Sequence, residues 1–87
     1  MKLSWTLPAL RDLEAIGDYI ARDSAAGANR TILRILHQAE LLRAHPEMGR
    51  IGRVPQTREL VIADTSFILP YRVRGAVVEI LAVFQGA

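Results

Sequence analysis

The 87-residue chain contains no cysteine, which excludes disulfide stapling and thiolate chemistry and accords with a reducing cytoplasm. It has no apolar run approaching the roughly 20 residues that a membrane span needs. Its start, Met1-Lys2-Leu3-Ser4-Trp5, meets charged residues too early for the apolar region of a secretory signal. Internal repeats, low-complexity stretches and linkers are also lacking, so residues 1–87 read as one domain with one modest core. Metal ligands are sparse. His37 and His45 lie eight positions apart, without cysteine or a carboxylate at useful spacing, so neither a metal nor another cofactor is expected. Thr65 and Ser66 read as turn residues rather than activated nucleophiles. Gly49 and Gly52 follow a helix instead of preceding one, and no Gly-Lys-Ser/Thr comes after them, which excludes a phosphate loop.

Strong charge is missing as well, since the formal net charge is only +2. Its distribution is uneven. Residues 1–49 balance six basic against six acidic side chains, whereas residues 50–87 set five arginines against Glu59, Asp64 and Glu79. A small excess counts for more when it is focused on one face. The focus is Gly49-Arg50-Ile51-Gly52-Arg53-Val54-Pro55, leading into Thr57-Arg58-Glu59-Leu60. Arginine offers a planar fork of donors suited to phosphate or carboxylate, and glycine permits close approach to the backbone.

Secondary structure follows from periodicity. Lys2 to Trp5 is a short strand. Thr6 caps a helix, Pro8 is tolerated in its first turn, and Leu10, Leu13, Ile16 and Ile20 recur at helical spacing. Arg11, Asp12, Glu14 and Asp18 occupy the opposite face. Asp23-Ser24 breaks this helix and caps a second, whose stripe of Ala28, Ile32, Ile35, Leu36, Ala39 and Leu42 ends at His45-Pro46. Residues 58–63, 67–74 and 77–84 are rich in β-branched and aromatic side chains, with turns at Asp64-Thr65-Ser66 and Arg74-Gly75-Ala76. Pro70 cannot donate to a ladder and marks an edge or a bulge. The architecture is α+β, in the order β-α-α-β-β-β, with a helical hairpin packed on a twisted antiparallel sheet.

Chemistry concentrates in Arg50, Arg53, Arg58, Glu59, Tyr71 and Arg72. Metal-free RNA cleavage needs a base for the 2′-hydroxyl, cations for the pentacoordinate phosphate and an acid for the leaving oxygen. Glu59 is the candidate base, the arginines are the cations, and Tyr71 is the one nameable acid. Against this, Glu59 can simply pair with an arginine, and Tyr71 can be a packed strand aromatic with its hydroxyl at the surface. Arg58 and Arg72 on neighbouring strands can share a pocket or, by alternation, lie on opposite faces.

Trp5-Thr6, Asp12-Leu13, Ile16, Asp18-Tyr19-Ile20-Ala21, Pro46, Gly49-Arg50, Arg53-Val54-Pro55, Thr57-Arg58-Glu59-Leu60-Val61, Tyr71-Arg72-Val73 and Val78-Glu79-Ile80-Leu81 together resemble the ParE/RelE toxin superfamily of type II toxin–antitoxin modules, often called plasmid stabilisation proteins. The resemblance spans nearly the whole chain in order. It implies a helical hairpin on a twisted antiparallel sheet and a growth-inhibiting toxin neutralised by a cognate antitoxin, whose C-terminal segment wraps the toxin. Leu33 and Leu41, pointing away from the main stripe of the second helix, are candidates for that contact, as are Arg50 and Arg53 for an acidic antitoxin segment. RelE-like members cut mRNA on the translating ribosome, and Arg58 and Arg72 match arginine positions that those enzymes place around the scissile phosphate. ParE-like members are thought to poison DNA gyrase without an evident catalytic centre. The chain closes on Phe84-Gln85-Gly86-Ala87, where relatives often carry a histidine, an arginine and an aromatic-proline ending. That departure removes the best general-acid candidates. With the spacing of Arg53-Val54-Pro55 to Tyr71-Arg72-Val73, it favours the ParE-like branch over a RelE-like interferase or a degenerate relic that only binds antitoxin.

Overall fold

Thr6 works as the sequence requires. In extended conformation ahead of the first helix, its hydroxyl accepts from the Ala9 N–H at 3.4 Å and donates to the Ile80 carbonyl at 2.8 Å. One side chain thus starts the helix and ties it to the sheet. The computed structural model describes residues 1–86; Ala87, the end of the closing segment discussed above, lies outside the described residues.

The elements are β1 (Lys2–Trp5), α1 (Leu7–Ala21), α2 (Ala25–Glu40), a 3-10 turn (Leu41–Arg43), β2 (Arg50–Ile51), β3 (Arg58–Val61), β4 (Phe67–Arg74), β5 (Val77–Ile80) and β6 (Phe84–Gln85). Ser24 caps α2 by accepting from the Gly27 N–H at 2.9 Å. The α+β architecture and the helical hairpin on a sheet agree with expectation. The sheet itself is mixed, with order β1-β5-β4-β3-β2. β1 runs parallel to β5, pairing Lys2 with Val77 and Trp5 with Ile80, while the remaining pairings are antiparallel. A parallel partner requires a long crossover, which the hairpin and the first strands of the meander provide.

The expected single strand over 77–84 is interrupted. β6 pairs Phe84 with Ile68, β5 pairs Ile80 with Tyr71, and so the three residues 81–83 face the two residues 69–70 on β4. This is a bulge. Pro70 lies opposite it, accepting from the Leu81 N–H at 2.9 Å; its ring nitrogen faces the same side, where the ladder is broken and no donor is needed.

The core joins Ile35, Ala39 and Leu42 of the second helix and its 3-10 extension to Leu60, Leu69, Tyr71, Val78 and Ile80 of the sheet. Each such Leu or Ile contributes about 1.5–3 kcal/mol relative to exposure. α1 adds Ala9 and Leu13, with Ile16 packed partly against them. Leu10, expected in the apolar stripe, is exposed instead. Helical spacing marks the face it shares with Leu13 but not how far the sheet reaches beneath that face. Asp12, assigned to the solvent side, is half-buried and accepts from the Val83 N–H at 3.1 Å.

Candidate functional site

Alternation along the central strands sorts the candidate residues by face. Leu60, Leu69, Tyr71, Val78 and Ile80 point to the helices. Glu59, Pro70, Arg72, Arg74 and Glu79 therefore project from the open face. Arg58 pairs with Tyr71 and belongs to the helix side, at the end of β3 that the helices do not cover.

Tyr71 is fully buried, and both capacities of its hydroxyl are used. It donates to the Pro46 carbonyl at 2.7 Å and accepts from the Gly49 N–H at 2.9 Å. The expectation of a surface hydroxyl is corrected: the loop after α2 folds over it. Burial raises its pKa above the ordinary 10.0, against the opposing pull of the Gly49 amide. A buried phenol with its proton given to a fixed carbonyl is a strut for the loop, not an accessible acid.

The same contact explains Gly49. A Cβ there would stand 2.6 Å from Tyr71 Cε1, 2.7 Å from its hydroxyl and 2.9 Å from the Glu59 carbonyl. What approaches this glycine closely is the protein's own tyrosine, not an external anion. Gly52 is likewise filled from inside, because a Cβ would collide with the Thr57 side chain, while its N–H bonds the Thr57 carbonyl at 2.9 Å.

Glu59 is buried and receives three donors. Arg50 approaches through Nε at 3.3 Å and Nη2 at 3.0 Å, and the Arg53 backbone N–H at 3.2 Å. The Arg53 guanidinium lies 3.6 Å from the second carboxylate oxygen. The Arg53 amide first, and then the Arg50 side chain, hold its pKa below the usual carboxylate value, outweighing desolvation. A carboxylate so stabilised is a weak base, and the pairing alternative for Glu59 is what the geometry contains. Arg53 also stacks over the Phe84 ring at 5.5 Å.

Arg58 donates through Nη1 to the Gly49 carbonyl at 2.8 Å and the Glu47 carbonyl at 3.3 Å, bracing the same loop. Arg72 donates to Glu79 at 2.8 Å, and Arg74 lies 3.7 Å from the same oxygen. Arg58 and Arg72 start on opposite faces, yet both line a cleft of about 270 Å³ at the sheet edge beside Ile51 and Val73. Leu33 and Leu41 are both exposed and sit at different places. Leu33 borders a groove of about 620 Å³ between the helices, floored by Leu10, Leu13, Gly17 and Ile32, with Glu14 and Asp18 on its rim. Leu41 borders a separate hollow beside Met48 and Val61. Sequence reasoning missed Leu10 as a groove residue, because helical spacing alone assigns it to the covered stripe.

No described helix is long and apolar enough to cross a membrane. Among the described residues no group of three or more His, Cys, Asp or Glu side chains could hold a metal.

A family model described as "ParE toxin of type II toxin-antitoxin system, parDE" matches residues 3–87. The Sinorhizobium fredii protein Y4kP, a candidate toxin, is 46% identical over 84 residues, covering 97% of this chain and 86% of its own length. Toxin RelE2 of Caulobacter vibrioides is 37% identical over 83 residues, covering 95% and 92%. Among solved structures, a chain of the chromosomal ParDE toxin–antitoxin system from P. aeruginosa superposes with a TM-score of 0.91 at 32% identity, covering 100% of this chain and 97% of that one.

Proposed function

The chain belongs to the ParE toxin family of type II toxin–antitoxin systems, and we propose that it arrests growth by binding a target such as DNA gyrase, without cutting RNA, until a cognate antitoxin covers it. The observation that carries this reading is the commitment of both acid–base candidates to the fold. Glu59 is held between Arg50 and Arg53, and the Tyr71 hydroxyl is spent on Pro46 and Gly49. A phosphodiester could meet arginines here but would find no free base and acid.

The antitoxin's place is the groove between the helices. Its apolar floor with Leu33 at the border suits the apolar stripe of an amphipathic segment, and Glu14 and Asp18 on the rim favour basic flanks on that segment. Leu41, beside Met48 and Val61, would extend the contact along the loop side. Arg50 and Arg53 retain exposed guanidinium surface for an acidic stretch of antitoxin or target.

The competing reading, a ribosome-dependent mRNA interferase, rests on the cleft that Arg58 and Arg72 share. One experiment separates the two. The protein is induced in cells with and without the product of the neighbouring reading frame, and growth, plasmid supercoiling and mRNA integrity are followed together. Growth arrest with relaxed plasmid and intact mRNA, reversed by the neighbour, is the expected result. Cleavage confined to translated mRNA would replace the gyrase reading with the interferase one. Unimpaired growth at full expression would leave only a relic that binds antitoxin.

A further inference from the structure

One short stretch of sheet backbone is left without a partner. β3 reaches back only to Arg58, opposite Tyr71, whereas β4 continues to Arg74. On its other side β4 is paired with β5 through Arg74. The ladder fixes which groups are free. The Pro70 carbonyl faces the β5 side, so residues 70, 72 and 74 direct their backbone groups there, and Val73 directs its N–H and C=O to the open edge. Among the described residues nothing bonds them. Gln56, at φ 67°, turns the chain away where a residue opposite Val73 would stand. The 270 Å³ cleft lined by Ile51, Gln56, Arg58, Arg72 and Val73 is the space that remains.

The surroundings of this edge have a sign and a pattern. Arg58 bonds only carbonyls, and Arg72 and Arg74 share Glu79, so three guanidiniums face one carboxylate. On the helix side Ile51 is 77% and Val73 45% exposed. On the open side Arg72 and Arg74 project. We propose that the β4 edge at Val73 accepts an extended segment of an acidic partner protein as an added strand, its central apolar side chain lying between Ile51 and Val73 and its acidic neighbours meeting Arg72 and Arg74. Main-chain bonds to Val73 supply the docking, and the side-chain alternation supplies the choice of partner. A second copy of this chain is the wrong occupant, because it would bring the same arginines against each other. The proposal rests on the reading of this chain as an inhibitor and assigns the strand to the inhibited target, since on that reading the antitoxin takes the groove between the helices.

The test uses the full chain labelled with ¹⁵N and two capped hexapeptides, one alternating Glu and Val, the other Lys and Val. Amide hydrogen exchange is read residue by residue at millimolar peptide. The Glu peptide should slow Val73 exchange at least about tenfold, with the Lys peptide inert. Val73→Pro removes the outward donor while sparing every bond to β5, and should abolish the response of the neighbouring amides. Arg74→Glu should weaken the Glu peptide and admit the Lys peptide, and it decides the matter should the proline variant fail to fold. Unchanged Val73 exchange, or equal response to both peptides, overturns the proposal. Slowing that rises with protein concentration in the absence of peptide would assign the edge to a second copy and overturn it as well.

Discussion

Replacing Tyr71 by phenylalanine removes one oxygen and keeps the ring that fills the core. The hydroxyl joins the Pro46 carbonyl and the Gly49 N–H across 2.7 and 2.9 Å. Pro46 is half-buried and can turn to water, but Gly49 is buried and its N–H would lose its partner. An orphaned buried donor costs about 1–3 kcal/mol and a lost neutral hydrogen bond roughly 1 kcal/mol, so Tyr71→Phe should cost about 2–4 kcal/mol. For a domain of this size that is a fall in Tm of roughly 10–30 °C. Urea unfolding should show a lower midpoint with an unchanged slope, since the exposed surface on unfolding is the same. Gly49→Ala in the wild-type background meets the ring, the hydroxyl and the Glu59 carbonyl, and should cost about 1–3 kcal/mol by overpacking. In the Tyr71→Phe background one of those three obstacles is gone, so the double variant should be more stable than the sum of the singles by more than ~0.5 kcal/mol. A Tyr71→Phe protein within ~0.5 kcal/mol of wild type would refute the strut. Equally damaging would be a well-folded Tyr71→Phe protein that had lost its toxicity, because the hydroxyl would then be acting on the target.

Glu59 has a folded pKa below its ordinary 4.5. Its contribution to stability is therefore present above that value and lost as pH falls through the folded pKa. Urea midpoints measured from pH 7 to pH 3 should drop for wild type and flatten for Glu59→Gln; parallel curves would remove Glu59 from the acid response. Tyr71 has the opposite sign: with a pKa raised above 10.0, its contribution is complete below that pH and fades above it, an alkaline loss that Tyr71→Phe should lack. Asp12→Ala orphans the buried Val83 N–H and should cost about 1–3 kcal/mol, with faster amide exchange through Phe84 and Gln85, whereas Asp12→Asn keeps an acceptor and most of the stability. Leu33→Glu should leave Tm nearly unchanged and weaken antitoxin binding at least about tenfold by calorimetry, because it sets a carboxylate against an apolar floor already rimmed by Glu14 and Asp18.

What the sequence reveals here is local, and what it hides is distant. Thr6 with Pro8 marks the start of α1 because a cap and a tolerated first-turn proline act within a few residues. The α2 stripe is legible for the same reason, with Ala28, Ile35, Ala39 and Leu42 all buried. Pro70 announces a bulge because proline lacks the donor a ladder demands. By contrast, nothing near Lys2 names Val77 as its parallel partner. Glycines beside arginines read naturally as room for an anion, yet the group filling Gly49 comes from Tyr71, 22 residues away. Glu59 beside Arg58 suggests a neighbouring pair, but alternation sends the two to opposite faces and Glu59 finds Arg50 and Arg53. Leu10 shows the limit of periodicity: spacing tells which side of a helix it is on, not whether anything covers it.

The parallel union of β1 with β5 has a consequence in time. β1, made by the ribosome well before its neighbour, has no partner in the sheet until residues 77–80 have been made. At roughly 5–20 residues per second that delay is about 4–15 s. Thr6, which anchors α1 to the Ile80 carbonyl, waits equally long. Synthesis and sheet closure are thus ordered events, and an unfinished chain lacks the closed sheet that frames the arginine face. Within the cell, the interval between the two is one in which the chain exists without its closed sheet.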